Sequence, residues 1–205
     1  RWAGQLRTRD IRGVAAGRQI QFDQPLEVDF DLNQTPSGPV LEKLVGQASF
    51  LRLEGRGALA EGSIKAEADL EKLVSELDRL IDWGDTRMEG KLTADVRWKQ
   101  DASTGWSATA DAVAQNFKAI FPQMAPWQEQ SLHLAANVQG DLNGSSLSQI
   151  SRGKLLVEAS TDRLDAELME TVKSPSASSV WPVRFTLRGN LQAWAARAQA
   201  FVPLN

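Results

Sequence analysis

The sequence predicts an α+β fold that is mainly β, with a curved antiparallel sheet of tandem repeat units, each carrying a covering amphipathic helix. Three observations lead to this fold class. Apolar and polar residues alternate along much of the 205-residue chain, which is typical of strands with one apolar face. Two segments carry apolar residues at helical spacing instead. The order of these patterns recurs, with a first unit at 1–105 and a second at 106–205.

The strand pattern is clearest in five segments. These segments are 26–32, 64–68, 88–98, 132–138 and 183–187. Turn signals lie between strand patterns: residues 99–105 fit a hairpin loop, and Asn143-Gly144 is a tight-turn dipeptide. Strands of this kind belong to an antiparallel sheet that is covered on one side only.

Two amphipathic helices are predicted, at 69–83 and at 190–202. Asp69 can cap the first helix and Gly84 can end it. When the two helices and the strand patterns before them are aligned without a gap, Asp69 falls on Asn190 and Ile64 falls on Phe185. The two stretches therefore agree in pattern more than in residue identity. A strand follows the first helix, whereas the sequence stops before an equivalent strand in the second unit. We therefore expect the second unit to be truncated at its C-terminus.

Composition excludes several functional classes. The formal net charge is −3, with no basic surplus, so nucleic acid is not an expected partner. The chain has no Cys and one His, which excludes a disulfide framework, a thiolate zinc site and a His-rich metal site. No run of about 18 apolar residues occurs, so no segment is expected to span a membrane. No cofactor and no metal are expected.

Three local motifs are interpreted as structural. The segment 55–60 matches G-x-G-x-x-A, but a strand pattern follows it, which favours a glycine-rich β-turn over a dinucleotide site. His133 lies on the polar side of its strand without an evident catalytic partner, which favours an exposed strand residue. Glu27, Asp29 and Asp31 line one strand face, where a solvated face is favoured over a calcium site because the turn with Gly is missing.

An enzyme is not expected. A glycosidase with paired carboxylates is the enzymatic alternative, and it rests only on the abundance of Asp and Glu. Seven Trp residues are spread evenly along the chain, and we expect most of them in the core and some along an apolar groove.

One succession of segments carries a family resemblance. Residues 62–70 (Gly-Ser-Ile-Lys-Ala-Glu-Ala-Asp-Leu) lead into the helix that ends at Asp82-Trp83-Gly84, and residues 88–96 (Met-Glu-Gly-Lys-Leu-Thr-Ala-Asp-Val) follow. Over most of its length the chain resembles the AsmA-like family of Gram-negative envelope proteins, including its TamB-type and YhdP-type members. Residues 131–138 and 162–168 are similar to the meander strands of the same family.

The resemblance implies a large protein that is anchored in the inner membrane and extends through the periplasm. Its sheet would curl into a groove with an apolar concave face, and its function would be phospholipid movement between membranes and envelope integrity. The family has no catalytic residues to carry over. The N-terminal anchor and the C-terminal membrane-proximal region of the family are not in this sequence.

The apolar strand positions are the candidate site, because an uncovered apolar groove suits phospholipid acyl chains. The candidate groove-lining residues are Leu26, Val28, Phe30, Leu92, Val96, Leu132, Leu134, Val138, Phe185 and Leu187. Membrane contact would come through parts of the full-length chain outside this sequence, and other envelope proteins are further candidate partners. The alternative is that the helices close each unit completely, which would make the chain a non-catalytic structural or protein-interaction module.

Overall fold

A computed structural model describes residues 1–8, 11–15, 18–22, 25–36, 38–78, 84–101, 105–122, 126–143, 146–160, 162–176 and 178–198. The strands are β1 (Trp2–Thr8), β2 (Ile11–Ala15), β3 (Arg18–Phe22), β4 (Leu26–Thr35), β5 (Gly38–Gln47), β6 (Leu51–Gly57), β7 (Glu61–Asp69), β8 (Arg87–Asp101), β9 (Gly105–Ile120), β10 (Trp127–Asn143), β11 (Ser146–Ala159), β12 (Asp162–Leu168), β13 (Val172–Lys173) and β14 (Val183–Arg188). The helices are α1 (Leu70–Leu77) and α2 (Leu191–Ala198). The prediction of a mainly β fold is confirmed.

One antiparallel sheet dominates the fold. Its strands follow the order β1-β4-β5-β6-β7-β8-β9-β10-β11-β12-β14, with β13 paired to β11, while β2 and β3 form a separate hairpin. All five segments predicted as strands lie in this sheet. From β5 to β12, each strand pairs with the strand before it in the chain, so this part of the sheet is a meander. Within the described residues, β1 and β14 form its two edges.

The sheet is much wider than either described helix is long. Eleven strands lie on its path, and at about 4.8 Å per strand they span roughly 48 Å. Each helix has 8 residues and is therefore about 12 Å long. The described helices are thus too small to cover more than a part of either sheet face.

The start of α1 is where the sequence places it. The Asp69 side chain accepts a hydrogen bond from the Lys72 backbone N–H at 3.2 Å, and its other oxygen accepts one from Lys91 Nζ at 2.6 Å. These two interactions hold the pKa of Asp69 below its ordinary range, the Lys91 bond being the larger cause. The described helix ends at Leu77, and Asp78 follows in a turn. The predicted end, including Trp83, lies outside the described residues.

The start of α2 is also capped by a side-chain oxygen. The Asn190 side-chain oxygen accepts hydrogen bonds from the backbone N–H groups of Gln192 and Ala193, at 2.9 and 3.2 Å. Trp194 is buried, and its indole N–H donates to the Arg188 carbonyl at 3.4 Å. The last part of the predicted helix, with Phe201 and Val202, lies outside the described residues.

The core is thin and sits on the central strands. Leu132, Ala114 and Ala159 form a buried cluster, because Leu132 stands directly opposite both alanines in the sheet. The partly buried side chains that pack against this cluster are Leu92, Phe117, Trp127, Leu134 and Val157. The Phe117 and Trp127 rings meet edge to face, with 5.1 Å between their centroids. Among the described residues no large side chain is completely buried, since a single sheet offers little to cover its apolar side.

Candidate functional site

Cross-strand register defines two faces of the sheet. Residues directly opposite each other in an antiparallel ladder point to the same side, and successive residues along a strand alternate between sides. One row of opposite residues therefore lies on one face, from edge to edge. The row through Phe30 is Gly4, Phe30, Leu44, Gly55, Ile64, Val96, Ala110, Ala136, Leu155, Ala166 and Phe185.

A second row on the same side is equally apolar. It consists of Leu6, Val28, Gly46, Leu53, Ala66, Ala94, Ala112, Leu134, Val157, Leu164 and Leu187. Neither row contains a polar side chain in any of its eleven strands. The side of the sheet that carries these two rows is called the apolar face below.

All ten candidate groove-lining residues lie on the apolar face. Phe30, Val96 and Phe185 belong to the first row, and Val28, Leu134 and Leu187 to the second. The remaining four flank these rows on β4, β8 and β10, and they are Leu26, Leu92, Leu132 and Val138. The ten residues come from four strands, β4, β8, β10 and β14.

Exposure varies across the apolar face. At the centre Leu132 is 5% exposed, because the cluster around it packs over it. Toward the margins the same face is open to solvent, with Phe30 38% and Phe185 64% exposed. Contiguous exposed apolar surface is typical of interaction sites in proteins.

The middle of the apolar face has small side chains that the sequence analysis did not single out. On β9 every residue that points to this face from 108 to 114 is alanine, and the four are Ala108, Ala110, Ala112 and Ala114. Their period-two spacing was visible in the sequence. Alanine is so weakly apolar that this alternation does not by itself predict a strand.

The opposite side, called the polar face, carries ion pairs between strands. The three carboxylates of β4 each meet a side chain of the N-terminal strand region: Asp31 pairs with Arg1, Asp29 accepts from Gln5 at 2.6 Å, and Glu27 lies 3.5 Å from Arg7. In the described part of the chain no group of three or more His, Asp or Glu side chains is placed to hold a metal ion. These carboxylates therefore act as cross-strand partners on a solvated face.

His133 has two carboxylate partners that the sequence did not indicate. It lies on the polar face as expected, but Nε2 is 2.8 Å from Asp111 Oδ2 and Nδ1 is 3.2 Å from Glu158 Oε2. Hydrogen bonds to Asp111 and then to Glu158 raise the pKa of His133 above its ordinary value. When the ring is protonated, both nitrogens donate and the imidazolium bridges β9, β10 and β11.

Replacing His133 with Gln should lower the free energy of unfolding at acidic pH and change it little at alkaline pH. The folded state raises the pKa of His133, so its stabilisation is fully present below the unfolded value of about 6.5 and is lost as pH rises through the raised value. Urea unfolding of both proteins at several pH values from 5 to 9 measures the difference. Asn137→Gln, on the same strand and face, should show a difference that does not change with pH. A His133→Gln difference that is equally flat would contradict the bridging role.

Comparison with protein-family models, with curated proteins and with solved structures finds no match. Neither of the helices in the described part of the chain is long and apolar enough to cross a membrane.

Proposed function

We propose that the chain is a periplasmic segment of an AsmA-like envelope protein, and that its apolar face binds or conducts phospholipid between membranes and so supports outer-membrane integrity. The observation that carries this proposal is the pair of apolar rows that cross all eleven strands. An acyl chain lying along a row would bury its methylene groups at about 0.8 kcal/mol each. Non-enzymatic binding of this kind needs neither a cofactor nor a catalytic residue.

The dimensions of the apolar face favour conduction along it. At roughly 48 Å, the sheet is wider than the hydrocarbon core of a bilayer, which is about 30 Å thick. No polar side chain interrupts the two rows, so an acyl chain on the open parts of a row meets no desolvation barrier from the side chains of that row. Membranes and other envelope proteins would be reached through parts of the full-length chain outside this sequence.

We also infer that the chain contains two tandem units, 1–105 and 106–205, of a curved sheet whose helices cover part of the apolar face. In the described part of the chain, five strands of the large sheet precede α1, and six, counting the short β13, lie between β8 and α2. The caps support the same alignment, since Asp69 and Asn190 both hold the first turn of a helix through a side-chain oxygen.

A structural or protein-interaction module of the cell envelope is the second candidate function. The observation that favours it is the central cluster around Leu132, where protein side chains already bury the apolar face. A module of this type would use the face to hold strands together and would bind no lipid.

Native mass spectrometry with lipid extraction separates the two functions. Phospholipid in a fixed ratio to the purified chain supports lipid binding. An apo mass that stays unchanged after incubation with phosphatidylethanolamine vesicles supports the structural module instead.

The variant Phe185→Gln should bind phospholipid about fivefold more weakly, since an exposed aromatic ring on the apolar face would lose roughly 1 kcal/mol of acyl-chain contact. Binding of a fluorescent phospholipid to the purified chain measures the change. Thr186→Gln is the matched control, because Thr186 is the next residue of β14, is also exposed and points to the polar face. Equal binding by both variants would argue against the apolar face as the lipid site.

A further inference from the structure

A cavity of about 980 Å³ lies at one end of strands β5 to β9. Its lining comes from both faces of the sheet. Leu41, Gly62 and Trp98 belong to the apolar face, whereas Arg56, Arg97 and Lys99 belong to the polar face. The cavity therefore lies where the two faces meet.

The cavity is basic although the chain as a whole is acidic. Four cationic side chains line it, Arg56, Lys65, Arg97 and Lys99, against the two acids Glu42 and Glu61. The chain carries a net charge of −3. This local excess of positive charge favours an anionic ligand.

Guanidinium and hydroxyl groups alternate as hydrogen-bond donors in a row across the polar side of the cavity. The register places Arg56 opposite Ser63, Ser63 opposite Arg97, and Arg97 opposite Thr109. Since neighbouring strands are about 4.8 Å apart, the two arginines stand roughly 10 Å apart with a hydroxyl between them. Guanidinium and hydroxyl groups are the donors that phosphate oxygens accept from in proteins.

Two of the cations lack a carboxylate partner. Arg97 is held by Asp95, with Nε 2.9 Å from Oδ1, and Lys65 lies 4.0 Å from the same carboxylate. By contrast, Arg56 and Lys99 form no ion pair with any residue that the structure describes. Their charges are available to a ligand.

The apolar side of the cavity is built around Trp98. Its indole N–H donates to the Ala58 carbonyl at 2.9 Å, and its ring lies over Gly62, where any Cβ would collide with it. Trp98 stands opposite Ala108, and Ala108 stands opposite Val138, so the three residues form one row on the apolar face. A ligand in the cavity thus has cations on one side and the apolar face on the other.

We propose that this cavity binds the phosphate group of an amphipathic phosphodiester, with Arg56 and Lys99 as the cations that contact the phosphate. The lipid identity of the ligand rests on the function proposed above, whereas the phosphate site rests on the cavity alone. Its acyl chains would pass Trp98 onto the apolar face.

Calorimetric titration with three probes tests the site: dihexanoyl phosphatidylglycerol, dihexanoylglycerol, which lacks the phosphate, and inorganic phosphate. The chain should bind the phospholipid more tightly than dihexanoylglycerol. The double variant Arg56→Gln/Lys99→Gln should weaken phospholipid binding about tenfold, the effect of losing about 1.4 kcal/mol of charge-assisted hydrogen bonding. Its binding of dihexanoylglycerol should stay unchanged.

A matched control changes the net charge equally at another place. Lys173→Gln/Arg184→Gln removes two exposed cations outside the cavity that have no ion pair among the described residues. It should bind all three probes like the parent chain, and circular dichroism should show that both double variants keep the strand content. An equal loss in the control would overturn the site, because it would make the effect one of net charge.

The three probes keep the two proposals apart. Equal affinity of the parent chain for both lipids would overturn the phosphate site and leave lipid binding intact. Binding of inorganic phosphate without either lipid would support the site, identify the soluble ion as its occupant and overturn the proposed function. Phospholipid binding that Arg56→Gln/Lys99→Gln weakens, with no binding of inorganic phosphate alone, would support the site and identify the lipid headgroup as its occupant.

Discussion

Replacing Leu132 with alanine should lower the free energy of unfolding by about 3 kcal/mol, the usual cost of truncating a buried leucine. Leu132 is 5% exposed and stands directly opposite Ala114 and Ala159. Side chains as short as alanine cannot move into the space that the leucine leaves, so the cavity persists. Urea unfolding at neutral pH measures the loss.

The matched control for this prediction is Leu155→Ala on the same face. Leu155 lies in the first apolar row but is 39% exposed, so its truncation should cost less than about 1 kcal/mol. A control that costs as much as Leu132→Ala would mean that stability is spread evenly over the apolar face and that the cluster is not a core.

Replacing Trp98 with alanine should cost about 3 kcal/mol as well, for a different reason. The indole ring covers Gly62, and its N–H donates to the carbonyl of Ala58 in the turn between β6 and β7. The same turn is closed by a hydrogen bond from the Ala58 N–H to the Glu61 carbonyl at 2.6 Å. Loss of the ring should therefore also speed hydrogen exchange of the Ala58 amide, which nuclear magnetic resonance detects.

Two further variants separate the contributions of Trp98. Trp98→Phe keeps an aromatic ring over Gly62 but removes the donor, and it should cost about 1 kcal/mol. Trp181→Ala truncates an exposed tryptophan outside the sheet and should cost less than that. If Trp98→Ala leaves the Ala58 amide as protected as before, the indole does not hold the turn.

Local features of this fold could be predicted from the sequence, because they depend on neighbouring residues only. Alternation predicted five strands of the sheet and the side to which their apolar residues point. The cap at Asp69 followed from the residue type at the start of a helical stripe. The β9 alanines were missed because a methyl group gives too weak a signal of alternation.

Features that depend on pairing between strands could not be predicted. The partners of His133 come from β9 and β11, and nothing in the sequence around His133 indicates which residues stand opposite it. The proposed phosphate site could not be predicted for the same reason. Its residues lie on four different strands, and they are Arg56, Ser63, Arg97 and Thr109. Register brings these residues together, and bulges such as the one between Glu89 and Lys91 shift register in ways that no local pattern specifies.

Because the sheet is a meander, most of its strand pairing joins strands that are neighbours in the chain. Since each strand from β5 to β12 pairs with its predecessor in the chain, the loops that must close during folding are short, and structure can propagate from any hairpin to the next, as in repeat proteins. Along the chain, the β2–β3 hairpin is inserted between β1 and β4, and these two strands still pair with each other. A sheet of this kind can lengthen or shorten by whole hairpins during evolution, because each new hairpin extends the existing rows and requires no change in the strands already present.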